Sequence, residues 1–464
     1  MFKLSCLAFA VAACGGSSDH PDAAIDGPDG DATPLWVSGT RLRAVIHAAG
    51  DAKRFLTWHD SMCNEDCELQ LASDGMQRCL PNMQSTDVYY TDAACTISVG
   101  QFPPGQAPTT GYLTTNDFVC DAGTPLYPVR AGITPPAMLY RKNGASCTGG
   151  ITPTPGYTIL PLAPEIAPST FVGATTAIEP RGPRLSVTVL HAEDGAREVS
   201  GITDTTRAMP CFVLAVGTST VCQSANSAYL SSGTYTDAGC FTHAAAFSRY
   251  GNYACSHEPS LVVDYGTGGI PSLFAVGSKL TGTLYGSSGS CMATAPVPNT
   301  DYYQIGASVP LTELAQLTRP REGAGRVQLE QVHTPTGELL QTWGFFDTMR
   351  NMACHLFLAD DLMTRCLPEG SIPALEFTDA ACTNAVVSVA PTQTLTAGSY
   401  VEFALANGGT SVAQIAAKIA APASVYLQTN GNPCAPGTVF PSQDYYSTTM
   451  VPATDFAPIV RVTE

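Results

Sequence analysis

Four cysteine positions recur three times along this chain of 464 residues, in the same order and at nearly the same spacing. The first two cysteines of each set lie 12, 11 and 12 residues apart, and the last two lie 52, 51 and 52 residues apart. Each third cysteine ends a related motif: YTDAAC, YTDAGC or FTDAAC. The sets are Cys67, Cys79, Cys95 and Cys147; Cys211, Cys222, Cys240 and Cys291; and Cys354, Cys366, Cys382 and Cys434. Chance does not keep such a register, so the sequence predicts three structural repeats, at 37–182, 183–323 and 324–464.

Each repeat opens with two short apolar stretches separated by a polar turn, as in 41–47 and 54–58 of the first repeat. This pattern is typical of a β-hairpin, and no stretch of a dozen residues shows the periodicity of an amphipathic helix. The 42 glycines and 35 prolines also favour a turn-rich protein. The sequence therefore predicts an all-β fold with roughly eight strands per repeat.

The two ends of the chain carry a clue to topology. An apolar segment precedes the opening hairpin of the second repeat (171–178) and of the third (314–321), but its match before the first repeat, at 34–37, is weak. A good match lies at the C-terminus instead, at 456–463. A last strand that completes the first sheet is typical of a closed ring, so we predict a six-bladed β-propeller with two blades per repeat. The alternative is three tandem β domains.

The cysteines also predict their own pairing. Four cysteines allow three connectivities in the third repeat, and a hairpin centred on Asp360-Asp361 selects Cys354–Cys366 and leaves Cys382–Cys434. The matched spacing carries the same pairs into the other two repeats. Cys63 and Cys120 form a plausible third pair in the first repeat, and Cys255 remains without a partner. Such cysteine usage indicates an oxidising compartment.

Charge and motifs exclude several classes of function. The formal net charge of −17 argues against nucleic acid and anionic membrane surfaces as partners. No nucleophile elbow, zinc-protease motif or phosphate-binding loop is present, so an enzyme is the less favoured interpretation. Aspartates recur in all three repeats, whereas one active site needs a single set, so we predict structural roles for them. These aspartates are Asp60, Asp204 and Asp347, and Asp92, Asp237 and Asp379.

Three histidines are the candidate binding residues. His47, His191 and His333 precede the first cysteine of their repeats by 20, 20 and 21 residues. Equivalent histidines that converge on a ring axis are able to bind a metal. The favoured alternative places each at a strand end, where it bonds a turn carbonyl. We therefore predict no metal and no cofactor.

The N-terminus indicates where the protein resides. A basic start and an apolar run occupy 1–13 and are too short to span a bilayer. Residues 11–14 (VAAC) resemble a bacterial lipobox, which implies acylation of Cys14, and Gly15 then favours the outer membrane. An ordinary secretory signal is the alternative. The rest of 14–36 is acidic and lacks apolar periodicity, so it is predicted to be a disordered linker.

Taken together, the chain resembles the uncharacterised Cys-rich repeat lipoproteins of Gram-negative bacteria. The resemblance implies location and architecture but no activity. We expect a lipid-anchored binding or scaffold protein of the outer membrane that binds an unknown protein or glycan. A hydrolase or lyase acting on envelope or extracellular polymers is the alternative, and a purely structural envelope protein is a third possibility.

Overall fold

A computed structural model describes residues 34–109, 111–115, 123–143, 146–162, 164–216, 219–249, 258–265, 271–287, 290–368, 374–391, 393–405, 408–427 and 434–464. These residues form an all-β protein, as predicted, and their only helices are three single 3-10 turns. No helix in these ranges is long and apolar enough to cross a membrane. Cys14, Cys120 and Cys255 lie outside the described residues, and so do the predicted signal peptide and most of the linker.

The strands are numbered in chain order. The first repeat and its flanks contain β1 (Trp36–Val37), β2 (Leu42–Ala49), β3 (Ala52–Asp60), β4 (Glu65–Leu71), β5 (Gln77–Pro81), β6 (Met83–Thr86), β7 (Val88–Tyr90), β8 (Ser98–Phe102), β9 (Tyr112–Thr115), β10 (Tyr127–Pro128), β11 (Leu139–Asn143), β12 (Ser146–Ile151), β13 (Thr158–Pro161) and β14 (Gly173–Arg181). The second contains β15 (Leu185–Ala192), β16 (Arg197–Asp204), β17 (Met209–Val216), β18 (Ser219–Ser224), β19 (Ser227–Tyr235), β20 (His243–Ser248), β21 (Leu261–Asp264), β22 (Ser272–Lys279), β23 (Leu284–Ser287), β24 (Cys291–Thr294), β25 (Thr300–Ser308), β26 (Gln316–Leu317) and β27 (Arg321–Glu322). The third contains β28 (Val327–His333), β29 (Leu339–Asp347), β30 (Met352–Leu358), β31 (Thr364–Pro368), β32 (Ala374–Phe377), β33 (Ala385–Val389), β34 (Tyr400–Ala404), β35 (Thr410–Ile419), β36 (Tyr426–Leu427), β37 (Ala435–Pro436), β38 (Asp444–Val451) and β39 (Val460–Thr463).

Two compact units can be distinguished along the chain. One comprises the described residues up to Ala44 together with Thr57–Thr318 and His333–Leu340. The other comprises Val45–Leu56, Arg319–Val332 and Gln341–Glu464. Each unit is therefore assembled from segments that are far apart in sequence.

The first half of every repeat is an antiparallel meander of four strands, β2–β5, β15–β18 and β28–β31. A linking segment follows each repeat and extends its meander. After the first repeat, β14 pairs with β5 and then along the whole of β15. After the second, β26 pairs with β18 and β27 pairs with β28. A single strand, β14, thus joins the first two meanders by backbone hydrogen bonds, whereas β26 and β27 each pair within a separate sheet.

The C-terminal segment behaves as its displaced position predicts. β39 pairs antiparallel with β2, with Val45 opposite Thr463 and Ala48 opposite Val460. The weak N-terminal match does not take this place, because β1 pairs with β16 of the second repeat instead. The last strand of the chain thus completes the sheet that opens the first repeat.

The second half of each repeat follows a different plan from a propeller blade. In the second repeat the strands close in the order β19-β20-β25-β22-β21, and β21 returns to pair in parallel with β19. A parallel pair, β6 with β9, also occurs in the first repeat. In the third, β33, β38, β35 and β34 enclose an apolar cluster that includes Val401, Phe403 and Ile415. Each of these halves packs around an apolar core of its own. The described strands do not form the six four-stranded blades that the sequence predicts.

Six disulfide bonds join the predicted pairs, with Cα–Cα distances between 5.2 and 5.8 Å. The hairpin geometry differs from the predicted one in detail. Cys79 lies opposite Leu69, and Cys67 lies opposite Pro81, so the cysteines are diagonal neighbours rather than facing residues. The hairpin turns one residue later than the midpoint of the two cysteines, which moves the register by two residues and keeps both side chains on one face. Cys63 is buried, and its pairing with Cys120 stays a prediction.

An arginine–aspartate pair with a buried aspartate recurs at the start of each repeat. The arginine before the first strand binds the aspartate at the end of the second strand, and the same guanidinium donates to a carbonyl of the linking segment. The closest ion-pair distances are 2.6 Å for Arg41–Asp60, 2.7 Å for Arg184–Asp204 and 2.7 Å for Arg326–Asp347. The carbonyl acceptors are Thr170, Glu313 and Asp455. The predicted structural role of these aspartates is confirmed, because each one binds the arginine that also donates to the end of its repeat.

The turn of each opening hairpin lies against the start of another repeat. Carboxylates of two turns accept backbone N–H groups there, and in the third case a turn hydroxyl lies beside a glycine. The contacts are Asp194 with Arg41 N at 2.9 Å, Asp51 with Ala324 N at 3.0 Å, and Thr336 Oγ1 at 3.1 Å from the position of a Cβ on Gly182. The turn of the second repeat therefore contacts the start of the first, and the turn of the first contacts the start of the third. The turn of the third repeat contacts Gly182, the residue just before the second repeat begins.

Candidate functional site

The three predicted histidines occupy equivalent strand ends but have different neighbours. The Nδ1 atom of His333 lies 2.8 Å from the carbonyl oxygen of Gly337, which confirms the turn-carbonyl prediction for this repeat. His191 is exposed, and its Nε2 atom lies 3.9 Å from the Glu179 carboxylate. Within the described ranges, no group of three or more His, Cys, Asp or Glu side chains is placed to hold a metal ion. Each histidine therefore has its own set of neighbours.

His47 lies in a row of positively charged residues across three strands. Arg461 of β39 is directly opposite His47 of β2, and facing residues of an antiparallel pair project from the same side of the sheet. On its other side β2 neighbours β3, which carries Arg54. Burial lowers the pKa of His47, and the positive charges of Arg54 and Arg461 lower it further. We call Arg54, His47 and Arg461 the cationic row.

Arg54 is the unusual member of the cationic row. It is half-buried, and burial lowers the pKa of its guanidinium. Among the described residues, Arg54 forms no hydrogen bond and no ion pair. Removing an ion from water is costly unless a counter-charge or hydrogen-bond acceptors compensate for the lost solvation. The fold therefore keeps the five N–H donors of the Arg54 guanidinium partly desolvated, and no described residue accepts from them.

The described residues of the other two repeats do not form such a row. In the second repeat Arg197 lies opposite His191, but it forms an ion pair with Glu179 at 2.8 Å. The linking segment there places Thr175 beside the histidine, and in the third repeat Thr318 bridges to His333. Arg461 and the unpaired Arg54 are thus peculiar to the first repeat. This asymmetry is what a single functional site within a repeated fold requires.

An apolar cluster borders the cationic row. Side chains alternate between the faces of a strand, so Ala49 and Ala52 lie on the same face as His47 and Arg54. Both alanines contact the cluster that contains Val327, Phe345 and Ile459. Apolar neighbours limit the access of water, and charge-assisted hydrogen bonds are stronger in such surroundings. The row is chemically suited to hold an oxyanion, because a planar guanidinium binds two oxygen atoms of such a group at once.

A second site of interest surrounds Glu198 on β16. The Nε1–H group of the fully buried Trp58 donates a hydrogen bond to the Glu198 carboxylate. Burial raises the pKa of Glu198 to about 7, and the negative charge of Glu68 contributes to the rise. A carboxyl group that titrates near neutral pH is able to act as a general acid.

The third repeat contains a polar pair, His355 and Glu402. The Nε2 atom of His355 lies 2.6 Å from a carboxylate oxygen of the buried Glu402. The imidazole also contacts the edge of Phe357, with ring centroids 4.3 Å apart. Each polar partner satisfies the other, so the pair accounts for the burial of Glu402 without a ligand.

The aspartates of the TDAAC-like motifs are turn caps. Each carboxylate accepts backbone N–H groups four and five residues further along the chain, as Asp92 does from Ile97 at 2.7 Å and from Thr96 at 3.0 Å. These hydrogen bonds lower the pKa of Asp92, and backbone donors have the same effect on Asp237 and Asp379. The cysteine that follows each aspartate has a positive φ between 52° and 54°. The structural interpretation of these aspartates is therefore confirmed.

Sequence analysis identified His47 but not its two arginines. Arg461 lies in the segment that the sequence predicts to pair with the first repeat, so its position beside His47 follows from that closure. Arg54 carries a weaker signal, since nothing in the sequence shows that it lacks a carboxylate partner. Glu198 likewise carries no sequence signal, because nothing in the sequence shows that it lies beside Trp58.

Comparisons with known proteins give one finding. A family model described as a family of unknown function (DUF7481) matches residues 7–454. No curated protein matches this chain, and no solved structure matches it.

Proposed function

The chain belongs to that family of unknown function, and we propose that the protein is a lipid-anchored binding or scaffold protein of the bacterial cell envelope. The observation that carries the proposal is the half-buried, unpaired Arg54 beside His47 and Arg461. Six disulfides support an oxidising compartment. The aspartates repeated in all three copies are occupied in turns and ion pairs, which favours binding over catalysis.

The proposed location is the outer membrane, reached through acylation of Cys14. The support is the lipobox-like sequence at 11–14, followed by Gly15. Cells grown with a labelled fatty acid should label the wild-type protein, whereas Cys14→Ser should stay unlabelled and leave the membrane fraction. An unlabelled wild-type protein would contradict the proposal. The proposed ligand is a protein or glycan of the envelope or of the medium.

We also propose that the three repeats form one closed ring, of which the six-bladed propeller is the form predicted from sequence. The pairing of β39 with β2 supports closure, and so does the cyclic order of the turn contacts made by Asp194, Asp51 and Thr336. Deletion of 456–464 should then lower the stability of the first repeat as well as that of the third. If 37–182 alone folds cooperatively with native disulfides, the three tandem domains are the better description.

The binding function can be tested with matched arginine variants. Purified protein is immobilised and exposed to envelope and medium fractions, and the material retained by wild type is compared with that retained by Arg54→Met. Arg130→Met is the control, because Arg130 is an exposed arginine of the first repeat and the charge change is the same. We expect the Arg54 variant to lose retained material and the control to keep it. Equal retention by all three proteins would count against this site.

The alternative function is a hydrolase or lyase acting on envelope or extracellular polymers. The observation that favours it is Glu198, whose pKa of about 7 suits proton transfer near neutral pH. Glu198→Gln should abolish any polymer-degrading activity of the wild type. A pure binding protein would show no such activity in either form.

A further inference from the structure

We propose that the cationic row binds an oxyanionic group, of the carboxylate, sulfate or phosphate class, carried by an acidic polymer. This inference rests on the proposed binding function and specifies the chemistry of its ligand. Three observations lead to it: the facing positions of His47 and Arg461, the unpaired guanidinium of Arg54, and the absence of a carboxylate from the charges that act on His47.

The first step concerns the missing counter-charge. The protein has 39 acidic and 22 basic side chains, so an arginine has abundant carboxylates available as partners. Arg197 takes one in the second repeat, at the position that faces the histidine there. Lys53, next to Arg54 in sequence, is paired with Glu464 at 2.6 Å. Among the described residues, the guanidinium of Arg54 is therefore open to an acceptor supplied by a ligand.

The second step concerns selectivity. A protein with a net charge of −17 repels polyanions, so binding of one requires a local reversal of the potential. Directional N–H donors from the guanidinium of Arg54 and the imidazole of His47 favour an oxyanion over a halide, because a guanidinium donates to two oxygens in parallel. The adjoining Ala49 and Ala52 accommodate an apolar ring edge beside the charged group. A polymer of acidic sugars has this combination of features.

The third step concerns pH. The charged groups that act on His47 are Arg54 from β3 and Arg461 from β39, and both disfavour its protonation. A bound anion opposes these charges and favours the imidazolium form. Binding should therefore take up a proton, and the affinity should increase as the pH falls toward 5.

The experiment uses the full-length protein in detergent and measures binding calorimetrically. The first probe is sulfate against chloride at constant ionic strength, because sulfate does not titrate between pH 5 and 8. Arg54→Met and Arg461→Thr should each weaken sulfate binding by at least about tenfold, since a charge-assisted hydrogen bond contributes roughly that factor. Arg130→Met should leave it unchanged. Wild-type protein that binds sulfate no better than Arg54→Met would overturn the proposal.

Further arms identify the source of the oxyanion and separate binding from folding. Dextran sulfate, polygalacturonate and polyphosphate should compete with sulfate and reveal which oxyanion is preferred, whereas neutral dextran should not compete. His47→Gln should bind sulfate with a flat pH profile between pH 5 and 8. Arg461 is exposed, and threonine occupies the matching place in the second repeat, so Arg461→Thr should fold normally even if an Arg54 variant does not. Competition by neutral dextran equal to that by the acidic polymers would also refute the proposal.

The outcome can be distinguished from failure of the broader function. If envelope material is retained equally by wild type and Arg54→Met while sulfate does not bind, the protein binds its partner elsewhere and only the oxyanion site is wrong. If sulfate binds but no envelope material is retained, the site stands and the proposed function needs revision.

Discussion

Replacing Glu198 with glutamine should change how the stability of the protein depends on pH. The folded protein raises the pKa of Glu198 to about 7 from an ordinary value of 4.5. Between these values the folded state keeps a proton that the unfolded state has lost. The contribution of this proton to stability is therefore fully present below about pH 4.5 and is lost as the pH rises through 7.

The size of the effect follows from the same shift. A rise from 4.5 to about 7 corresponds to about 3 kcal/mol of unfolding free energy, because one pKa unit is worth about 1.4 kcal/mol. Glutamine imitates the protonated acid at every pH, and its carbonyl oxygen still accepts the hydrogen bond from Trp58. Glu198→Gln should thus match wild type near pH 4.5 and be up to about 3 kcal/mol more stable at pH 8.

Urea unfolding with intact disulfides, followed by tryptophan fluorescence at several pH values, measures this difference. Other groups titrate equally in both proteins, so the difference between the two unfolding free energies isolates Glu198. Glu68→Gln is an informative companion, because it removes the nearby negative charge and should produce a smaller change of the same sign. If the two proteins differ by a constant amount from pH 4.5 to 8, the carboxyl of Glu198 is not shifted and the reasoning fails.

Two further predictions concern the repeated features. Asp347→Asn should destabilise the protein by about 2 kcal/mol or more, because it leaves Arg326 without its buried counter-charge. The control is Asp444→Asn at the Lys418–Asp444 pair, in which the lysine is exposed, and it should cost less than about 1 kcal/mol. Equal effects of the two substitutions in urea unfolding would contradict the structural role of the repeated pair. Peptide mapping without reduction should recover the six disulfides and Cys63–Cys120, and alkylation of the denatured, non-reduced protein should modify Cys255 alone, so a bond between different repeats would refute the scheme.

Local sequence patterns predicted much of this fold. The opening strands of the third repeat begin at Val327 and Leu339, as their apolar patterns indicate. The disulfide partners followed from spacing, since four cysteines in one repeat leave few choices. The role of the repeated aspartates followed from their presence in all three copies. These features depend on residues close in sequence or on comparison between copies, which a single chain with internal repeats provides.

Features that depend on strand partners could not be predicted in this way. The parallel pairs β6–β9 and β19–β21 join strands separated by other elements, and the period of a strand does not reveal its neighbour. For this reason the sequence predicts blades, whereas the second half of each repeat packs around its own core. The same limitation explains β1, whose Trp36 lies opposite Glu198 of the second repeat rather than beside the first hairpin.

The site itself shows why repetition is a useful guide to function. Elements kept in all three repeats, such as the arginine–aspartate pairs, account for folding. A function that needs one site should leave its trace where one copy departs from the others. Within the cationic row, only His47 has equivalents in the other repeats, His191 and His333, and a position at a strand end explains all three. The first repeat differs from the others around this histidine. It has Arg461 where threonine lies in the other two, and its Arg54 has no carboxylate partner among the described residues. These differences make this strand end a candidate binding site.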